Sequence, residues 1–196
     1  MKRMLWVCLL VFGLMLSWSI VIAGDFYVIP VKKSGTYDPP CFDNTNRYVD
    51  CGNGTVYDTV TNLIWLKKAN CFLDKSYAAA NNAAAGLGDG DCGLTDGSSP
   101  GDWRLPTMAE WQWTFQRAVA LGCINPAFTN TAGTSCGGPD PFTYIQVGER
   151  YWSSTAVEAN PTHAWSVEIN SGALKTDLVK TASGNIHAWP IRSGNY

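Results

Sequence analysis

The amino-acid sequence predicts an α+β domain with a mixed, mainly antiparallel sheet, two helices and long loops tied by disulfides. A β-hairpin is indicated by residues 55–58 and 63–66, and two helical patterns follow at 75–87 and 108–121. Four further strand-like segments come after the helices, and cysteines are spread through the loops. A hairpin, then helices, then a run of strands is an element order of the α+β class.

The clearest local signal is a strand that turns directly into the second helix. Trp103 and Leu105 alternate with polar residues, which is the period of a half-buried strand. Pro106 ends this strand because proline has no N–H to donate to a ladder. Thr107 is expected to cap the helix, and Glu110 three residues later completes a capping box.

Turn and cap residues set the limits of the other early elements. Asn62 stands where the hairpin must close, and asparagine tolerates positive φ better than most residues other than glycine. Asp74 is the expected N-cap of the first helix. Gly86 and Gly88 are expected to end that helix.

The last part of the chain is predicted to consist of strands. Their expected limits are 151–155, 163–169, 173–180 and 186–192. In the second of these strands, Trp165, Val167 and Ile169 are expected to share one face, with polar residues on the other. An Asn-Ser-Gly turn at 170–172 is expected to close the next hairpin.

The beginning of the chain has the composition of an export signal. A basic start is followed by an apolar run at residues 5–22 and then by a small-residue cleavage site. The expected organisation is a signal peptide at 1–23, a lead-in segment at 24–42 with a possible edge strand at 25–31, and one domain at 43–196. The alternative is an uncleaved membrane anchor, because an apolar run of about 18 residues can nearly span a bilayer.

Six cysteines follow the signal segment, and the set is even. Six cysteines allow about 15 pairings, but close spacing favours three local bridges, Cys41–Cys51, Cys71–Cys92 and Cys123–Cys136. A metal site is disfavoured because no Cys-x-x-Cys pair occurs and both histidines lie far along the chain from the cysteines. Such disulfides are typical of oxidising compartments, so a periplasmic, cell-surface or extracellular location is expected.

The charge argues against one class of partner. Without Lys2 and Arg3 the chain has 14 − 2 = 12 basic and 16 acidic residues, a net charge of −4. An acidic balance is not typical of a nucleic-acid-binding protein. It also weakens a polyanion-binding function unless a local basic patch overrides the mean. Contact with a membrane is expected only through the first segment, if that segment is not cleaved.

Four motifs occur in an order that resembles a known family. They are Asn53-Gly54-Thr55-Val56-Tyr57-Asp58, Asn62-Leu63-Ile64-Trp65, Asp102-Trp103-Arg104-Leu105-Pro106-Thr107 with Glu110, and Tyr151-Trp152-Ser153-Ser154-Thr155. Together they resemble the Lcl C-terminal domain family, named after a domain of a bacterial collagen-like adhesin. That family is similar to C-type-lectin-like and formylglycine-generating-enzyme-like domains. The resemblance therefore implies a C-type-lectin-like fold with a small mixed sheet, two helices and a large variable loop region.

The sequence departs from the family pattern in three places. Asn62 stands where members often have glycine, and both residues tolerate the turn. Members often read Cys-Val-Arg near the C-terminus, where this chain has Trp189-Pro190-Ile191-Arg192. A disulfide is therefore not expected there, and Pro190 implies an edge strand or a bulge. The collagen repeat of the name-giving adhesin is missing, so trimerisation is not carried over.

The resemblance implies a non-catalytic binding module, because the adhesin's domain binds sulfated polysaccharides. The expected function is adhesion, with recognition of a glycan or another surface polymer at a bacterial cell surface. The candidate ligand-binding residues are aromatic or basic: Trp113, Arg150, Trp152, Lys175, Lys180 and Arg192. Acidic residues lie among the basic ones, so a mixed-charge surface is the alternative. Neutral sugars stacking on Trp113 or Trp152 fit the net charge better.

No cofactor is expected, apart from a possible structural calcium ion. Asp89, Asp91 and Asp96 offer oxygen ligands within one loop, and Ca²⁺ takes about six to eight such ligands. The spacing is not that of an EF-hand, and the Glu-Pro-Asn and Trp-Asn-Asp motifs of sugar-binding C-type lectins are absent. An ordinary acidic surface loop is the alternative.

Two other functions compete with a binding module. His163 and His187 could form a hydrolytic site with the Ser153-Ser154 pair if these residues met, but such residues occur in most chains of this length. The thiol chemistry of formylglycine-generating enzymes needs free cysteines, which a fully paired set does not supply. We therefore expect no enzyme. A structural subunit of a cell-surface appendage fits a short exported domain as well as adhesion does.

Overall fold

A computed structural model describes residue 41, residues 43–138 and residues 140–194. The expected signal peptide at 1–23 and the possible edge strand at 25–31 lie outside the described residues. Two helices and eight strands are found in the described part of the chain. They are β1 Tyr48–Asp50, β2 Thr55–Asp58, β3 Leu63–Leu66, α1 Tyr77–Gly86, α2 Met108–Ala120, β4 Arg150–Val157, β5 Asn160–Glu168, β6 Ala173–Val179, β7 Ile186–His187 and β8 Ile191–Ser193.

The strands form two four-stranded sheets. In the first sheet the order is β1-β2-β3-β8, and every pair is antiparallel. In the second sheet the order is β6-β5-β4-β7, and only β4 and β7 run parallel. Two helices, mainly antiparallel strand pairing and disulfide-tied loops confirm the α+β class that the sequence predicts.

The predicted hairpin forms where the sequence places it. β2 and β3 pair with Val56 opposite Trp65. Asn62 precedes β3 with a φ of 58°, a left-handed conformation that asparagine adopts more readily than most residues. The Tyr57 hydroxyl donates a hydrogen bond to Asn62 Oδ1 at 2.8 Å, which holds the turn against the strand.

The first helix begins later than predicted. Its N-cap is Ser76, whose side chain accepts a hydrogen bond from Ala79 N. Asp74 is therefore not the cap. Its φ is 51°, and its carboxylate accepts a hydrogen bond from Asn185 N at 2.9 Å instead. A contact with a distant part of the chain overrides the local capping signal.

The capping box of the second helix is present as predicted. The Thr107 hydroxyl accepts a hydrogen bond from Glu110 N, and the Glu110 carboxylate accepts one from Thr107 N at 2.8 Å. Arg104 donates two hydrogen bonds to the same carboxylate, at 2.7 and 2.6 Å. Burial raises the pKa of Glu110, but the bonds from Arg104 and Thr107 outweigh burial and lower the pKa below its ordinary value of 4.5.

The strand predicted before this helix is reduced to a single bridge. Trp103 and Leu105 are buried and Arg104 is exposed, so the predicted alternation is present. Only Arg104 pairs with a neighbouring strand residue, Ile191 of β8. Because β8 is three residues long, the ladder does not extend further.

The strand predicted at 186–192 is two strands in different sheets. β7 pairs with β4, and β8 pairs with β3. Pro190 lies between β7 and β8 and has no N–H to donate. Its carbonyl oxygen accepts a hydrogen bond from Leu66 N at 3.0 Å. The proline marks the place where the chain crosses from one sheet to the other. β7 and β8 each lie at an edge of their sheet, which agrees with the edge position predicted for Pro190.

Burial around Trp165 differs from what the alternation of apolar and polar residues predicts. Ala164 and Ser166, its two neighbours, are fully buried, whereas Trp165 is half-buried. The register of β5 against β6 shifts between Ala164 and Ser166. The extra residue lies in β6, because Ala164 and Ser166 are two positions apart whereas their partners Leu178 and Lys175 are three apart. The polar face predicted for Ser166 is covered like the apolar face of Val167.

The three predicted disulfides are confirmed: Cys41–Cys51, Cys71–Cys92 and Cys123–Cys136. Disulfides of this kind indicate an extracellular or periplasmic protein. Within the described residues, neither helix has the length and apolar character needed to cross a membrane.

A buried ion pair joins the first sheet to the second helix. Arg47 donates to both carboxylate oxygens of Asp58, at 3.1 and 2.9 Å, and also to the backbone oxygen of Thr114 in α2. Both charged side chains are almost completely buried. The Arg47 guanidinium also lies 4.7 Å from the ring centre of Tyr48. The charges are satisfied on every side by protein groups, which a buried ion pair requires.

Candidate functional site

The exposed face of α2 carries the one exposed tryptophan of the described residues. Trp113 is 42% exposed, whereas Trp111 and Phe115 of the same helix are fully buried. Gln112, Gln116 and Arg117 are exposed on the same helix. Because residues three and four positions apart are neighbours on a helix, Gln116 and Arg117 flank the indole. We call these four residues the Trp113 face.

Trp152, predicted as a ligand-binding residue, lies in the interior and offers no exposed ring to a ligand. It is fully buried, and its indole Nε1 donates a hydrogen bond to the backbone oxygen of Lys75 at 2.7 Å. Its ring lies 5.6 Å from that of Tyr77. The motif around Trp152 therefore serves the packing of β4 against the segment that leads into α1.

Arg192 and Asp96, predicted in two different sites, bind each other. The Arg192 guanidinium donates to Asp96 Oδ2 at 3.0 Å, and both side chains are buried. Asp96 Oδ1 also accepts hydrogen bonds from the backbone and side chain of Ser98. Ser98 in turn accepts one from Trp103 Nε1 at 2.9 Å. The pair anchors the loop at 88–101 to β8, and the ligand-binding role of Arg192 stays a prediction that no contact among the described residues supports.

The basic residues predicted on the second sheet lie in a charge-balanced network. Arg150 donates to Glu168 at 3.0 Å and to Asp177 at 2.7 Å. Lys175 lies 3.6 Å from the other Glu168 oxygen. Two cations thus face two carboxylates, which is the mixed-charge surface considered as the alternative. Little positive field is left for an anionic ligand.

Lys180 lies at a separate position on the second sheet. Its ammonium group donates to the backbone oxygen of Pro161 at 2.7 Å and lies 5.1 Å from the ring centre of Tyr77. No contact places it beside Trp113, Arg150 or Lys175 in the described part of the chain. The six predicted ligand-binding residues therefore do not form one site.

The acidic loop uses its carboxylates for its own backbone. Asp89 Oδ1 accepts a hydrogen bond from Gly97 N at 2.9 Å, and Asp91 Oδ2 accepts one from Gly88 N at 3.2 Å. Among the described residues, no three His, Cys, Asp or Glu side chains are grouped as metal ligands would be. The calcium site at Asp89, Asp91 and Asp96 stays a prediction.

Two shallow depressions border the loop residue Cys92, and no sequence pattern predicted either of them. The lysine depression has a volume of about 290 Å³ and is lined by Gly52, Gly54, Lys67, Lys68, Cys92, Gly93 and Thr143. The apolar depression has a volume of about 310 Å³ and is lined by Phe72, Ala83, Gly86, Leu87, Asp91 and Cys92. The Cys71–Cys92 disulfide therefore lies between two openings to solvent.

A close backbone approach shapes the lysine depression. Gly54 has a φ of 85°, and a Cβ there would lie 2.3 Å from the carbonyl oxygen of Gly93. The adjoining backbones are joined by a hydrogen bond from Thr95 N to Asn53 O at 2.9 Å. Only glycine allows this approach, so the turn between β1 and β2 meets the acidic loop at a fixed point.

Two consecutive lysines supply the charge of this depression. The Lys67 ammonium is paired with Asp50. Lys68 is exposed, and none of the ion pairs in the described part of the chain includes it. Sequence reasoning missed both residues because a lysine pair after a strand is common. The two-glycine spacing of Gly52 and Gly54 was the available signal for a backbone-lined depression.

The residues considered for a hydrolytic site lie apart. His187 pairs with Tyr151 near the start of β4. His163 lies near the other end of β4, because the next residue of β5, Ala164, pairs with Ala156. Ser153 is fully buried, and its hydroxyl accepts a hydrogen bond from Thr155 N at 3.1 Å. The two histidines and this serine form no common site.

These features define a disulfide-linked α+β module of the kind found outside the cytoplasm, with exposed surfaces on α2 and around Cys92. The model of the Lcl C-terminal domain matches residues 54–192. The chain belongs to the Lcl C-terminal domain family. Neither the curated proteins nor the solved structures contain a match, so the likeness to C-type-lectin-like folds stays a prediction.

Proposed function

We propose that the chain is a non-catalytic extracellular module that recognises a glycan on a surface, with a sugar ring stacking on Trp113. The observation that carries this proposal is the exposure of Trp113, since five other tryptophans are fully buried: Trp65, Trp103, Trp111, Trp152 and Trp189. When a sugar ring covers an exposed indole, the apolar face of the indole is removed from water, and this favours binding. Family membership supports an extracellular binding role.

The Trp113 face has two further properties that suit a saccharide. Its helix is held at the N-terminus by the capping box of Thr107 and Glu110, so the platform is rigid before a ligand arrives. The side-chain amides of Gln112 and Gln116 both donate and accept hydrogen bonds, which matches the hydroxyl groups of a sugar. Rigid platforms lose little entropy on binding.

The lysine depression suits an acidic substituent of a glycan, and Lys68 is the observation that favours this second subsite. Its ammonium is exposed and is not paired with a carboxylate among the described residues. A sulfate or carboxylate group is small enough for a depression of about 290 Å³. Such a contact would be weakened by salt, because the lysine lies in water.

A glycan array followed by affinity titration tests the proposal. Trp113→Ala is expected to weaken binding by about tenfold, which corresponds to about 1.4 kcal/mol. Val119→Ala is the matched control, because Val119 is also exposed on α2 but is not three or four positions from Trp113. Equal affinity of Trp113→Ala and the unaltered chain for every bound glycan would contradict the Trp113 face as the site.

A second pair of variants separates the two surfaces. Lys68→Ala is expected to reduce binding of sulfated glycans only, and Lys175→Ala, which changes a lysine already facing Glu168, is expected to have no effect. If the array shows no glycan at all, the structural-subunit function becomes the better explanation.

A further inference from the structure

A histidine clasp holds the segment before α1 against β7. His187 is only 4% exposed, and its Nδ1 accepts a hydrogen bond from Asp74 N at 3.1 Å. Asp74 Oδ1 accepts one from Asn185 N at 2.9 Å. We call these three residues the clasp. Backbone bonds on either side, from Lys75 N to Ile186 O and from Ala188 N to Phe72 O, complete the attachment of residues 72–75.

The clasp requires a neutral imidazole ring. Because Nδ1 accepts a hydrogen bond, the proton of the neutral ring lies on Nε2. His187 Nε2 is buried and has no hydrogen-bond partner among the described residues. A second proton on Nδ1 would place two donors, the ring N–H and the Asp74 N–H, face to face.

The groups around the His187 ring shift its pKa in opposite directions. Tyr151 of β4 lies edge-on at 5.4 Å between ring centres. Burial lowers the pKa of His187, and the carboxylates of Asp74 and Glu149 raise it, with the balance below the ordinary value of 6.5. Arg150, next to Tyr151, directs its guanidinium to two acidic residues of the second sheet.

We propose that His187 is an acid-sensitive switch whose protonation breaks the hydrogen bond from Asp74 N to Nδ1, opens the clasp and loosens residues 72–75. Asp74 has a φ of 51°, a conformation that costs energy for a residue other than glycine and persists only while its contacts hold. The segment also carries Phe72, which lines the apolar depression. Opening the clasp would therefore change one wall of that depression.

The direction of the pH effect follows from the sign of the pKa change. The folded chain prefers the neutral ring, so the stabilisation by the clasp is complete above pH 6.5. It is lost as the pH falls through the lower pKa of the folded chain. This inference rests on the hydrogen bonds of the clasp and is independent of the proposed glycan binding.

The sequence contains two histidines, so each imidazole can be removed in turn by a single substitution. His187→Asn places a side-chain oxygen where Nδ1 lies but cannot titrate, and His163→Asn removes the other imidazole as the matched control. Backbone hydrogen exchange at Asp74 and Asn185 is measured at pH 7.5 and pH 5, after correction for the intrinsic exchange rate. Ring C–H resonances of His187 are followed over the same range in the unaltered chain.

The unaltered chain and His163→Asn are expected to lose about fivefold in protection at pH 5, the effect of one ordinary hydrogen bond. His187→Asn is expected to keep its protection. Equal loss in all three proteins would overturn the proposal. So would a His187 resonance that titrates at or above pH 6.5, a measurement that needs no variant to fold.

Discussion

The two sheets differ in the solvent exposure of their strands. Every residue of β2 and β3 in the first sheet is buried, whereas no residue of β6 in the second sheet is. The buried Arg47–Asp58 pair supports the first sheet, and the second carries the partly exposed contact between Arg150 and Asp177. The two sheets have similar strand pairing, but the ion pair of the first is buried in the core and that of the second lies at a solvent-exposed edge.

Breaking one ion pair at each place is the strongest test of this difference. Asp58→Ala is expected to lower the free energy of unfolding by about 3–5 kcal/mol, because it leaves the Arg47 charge buried without a partner. Asp177→Ala, the matched change at the solvent-exposed edge, should cost less than about 1 kcal/mol. Denaturant unfolding at pH 7 measures both. Equal losses would show that the two pairs are not in different environments.

Two tryptophans extend the comparison to apolar contacts. Trp65 of β3 is buried, with ring centres of Trp111 and Trp189 at 5.0 and 5.2 Å. Trp65→Ala is expected to cost about 3–5 kcal/mol, and Trp165→Ala on the half-buried position of β5 about half as much. Thermal and urea unfolding measure which of the two variants loses more stability. A larger loss for Trp165 would mean that the second sheet holds the main core.

The smallest expected effect concerns acid stability at the junction beside the first sheet. The pKa of Glu110 is lowered, so its contribution is complete above the ordinary value of 4.5 and is lost as the pH falls through the folded value. The loss should be about 1 kcal/mol, because Arg104 is 44% exposed and solvent screens the pair. Glu110→Gln is expected to reduce the difference in stability between pH 7 and pH 3.

Arg104→Ala serves as the second variant in this measurement. It removes the largest hydrogen-bond contribution that lowers the pKa of Glu110 and should weaken the same acid dependence. If both variants keep the full pH difference of the unaltered chain, other carboxylates cause the acid sensitivity.

Local signals in the sequence were sufficient where neighbouring residues satisfy each other. Asn62, the Thr107–Glu110 capping box and the three disulfides depend on residues no more than 21 positions apart, and all were predicted. Such features follow from backbone preference and side-chain chemistry at fixed spacing.

Long-range contacts account for what the sequence did not reveal. Asp74 leaves its predicted capping position for a partner 111 residues away, and Arg192 binds Asp96 across 96 residues. Trp152 was a reasonable candidate for a sugar platform because its burial depends on the segment before α1, which no local pattern reports. Of the two tryptophans predicted at the candidate site, only Trp113 is exposed.

The position of β8 has a consequence for the order of events during folding. β8 is hydrogen-bonded to β3, and Trp189, just before it, donates from Nε1 to the backbone oxygen of Leu66 across 123 residues. The first sheet is therefore incomplete until residue 193 is available, however early its hairpin forms. Contacts of such separation slow folding, and the nascent chain leaves one edge of β3 open until β8 has been synthesised.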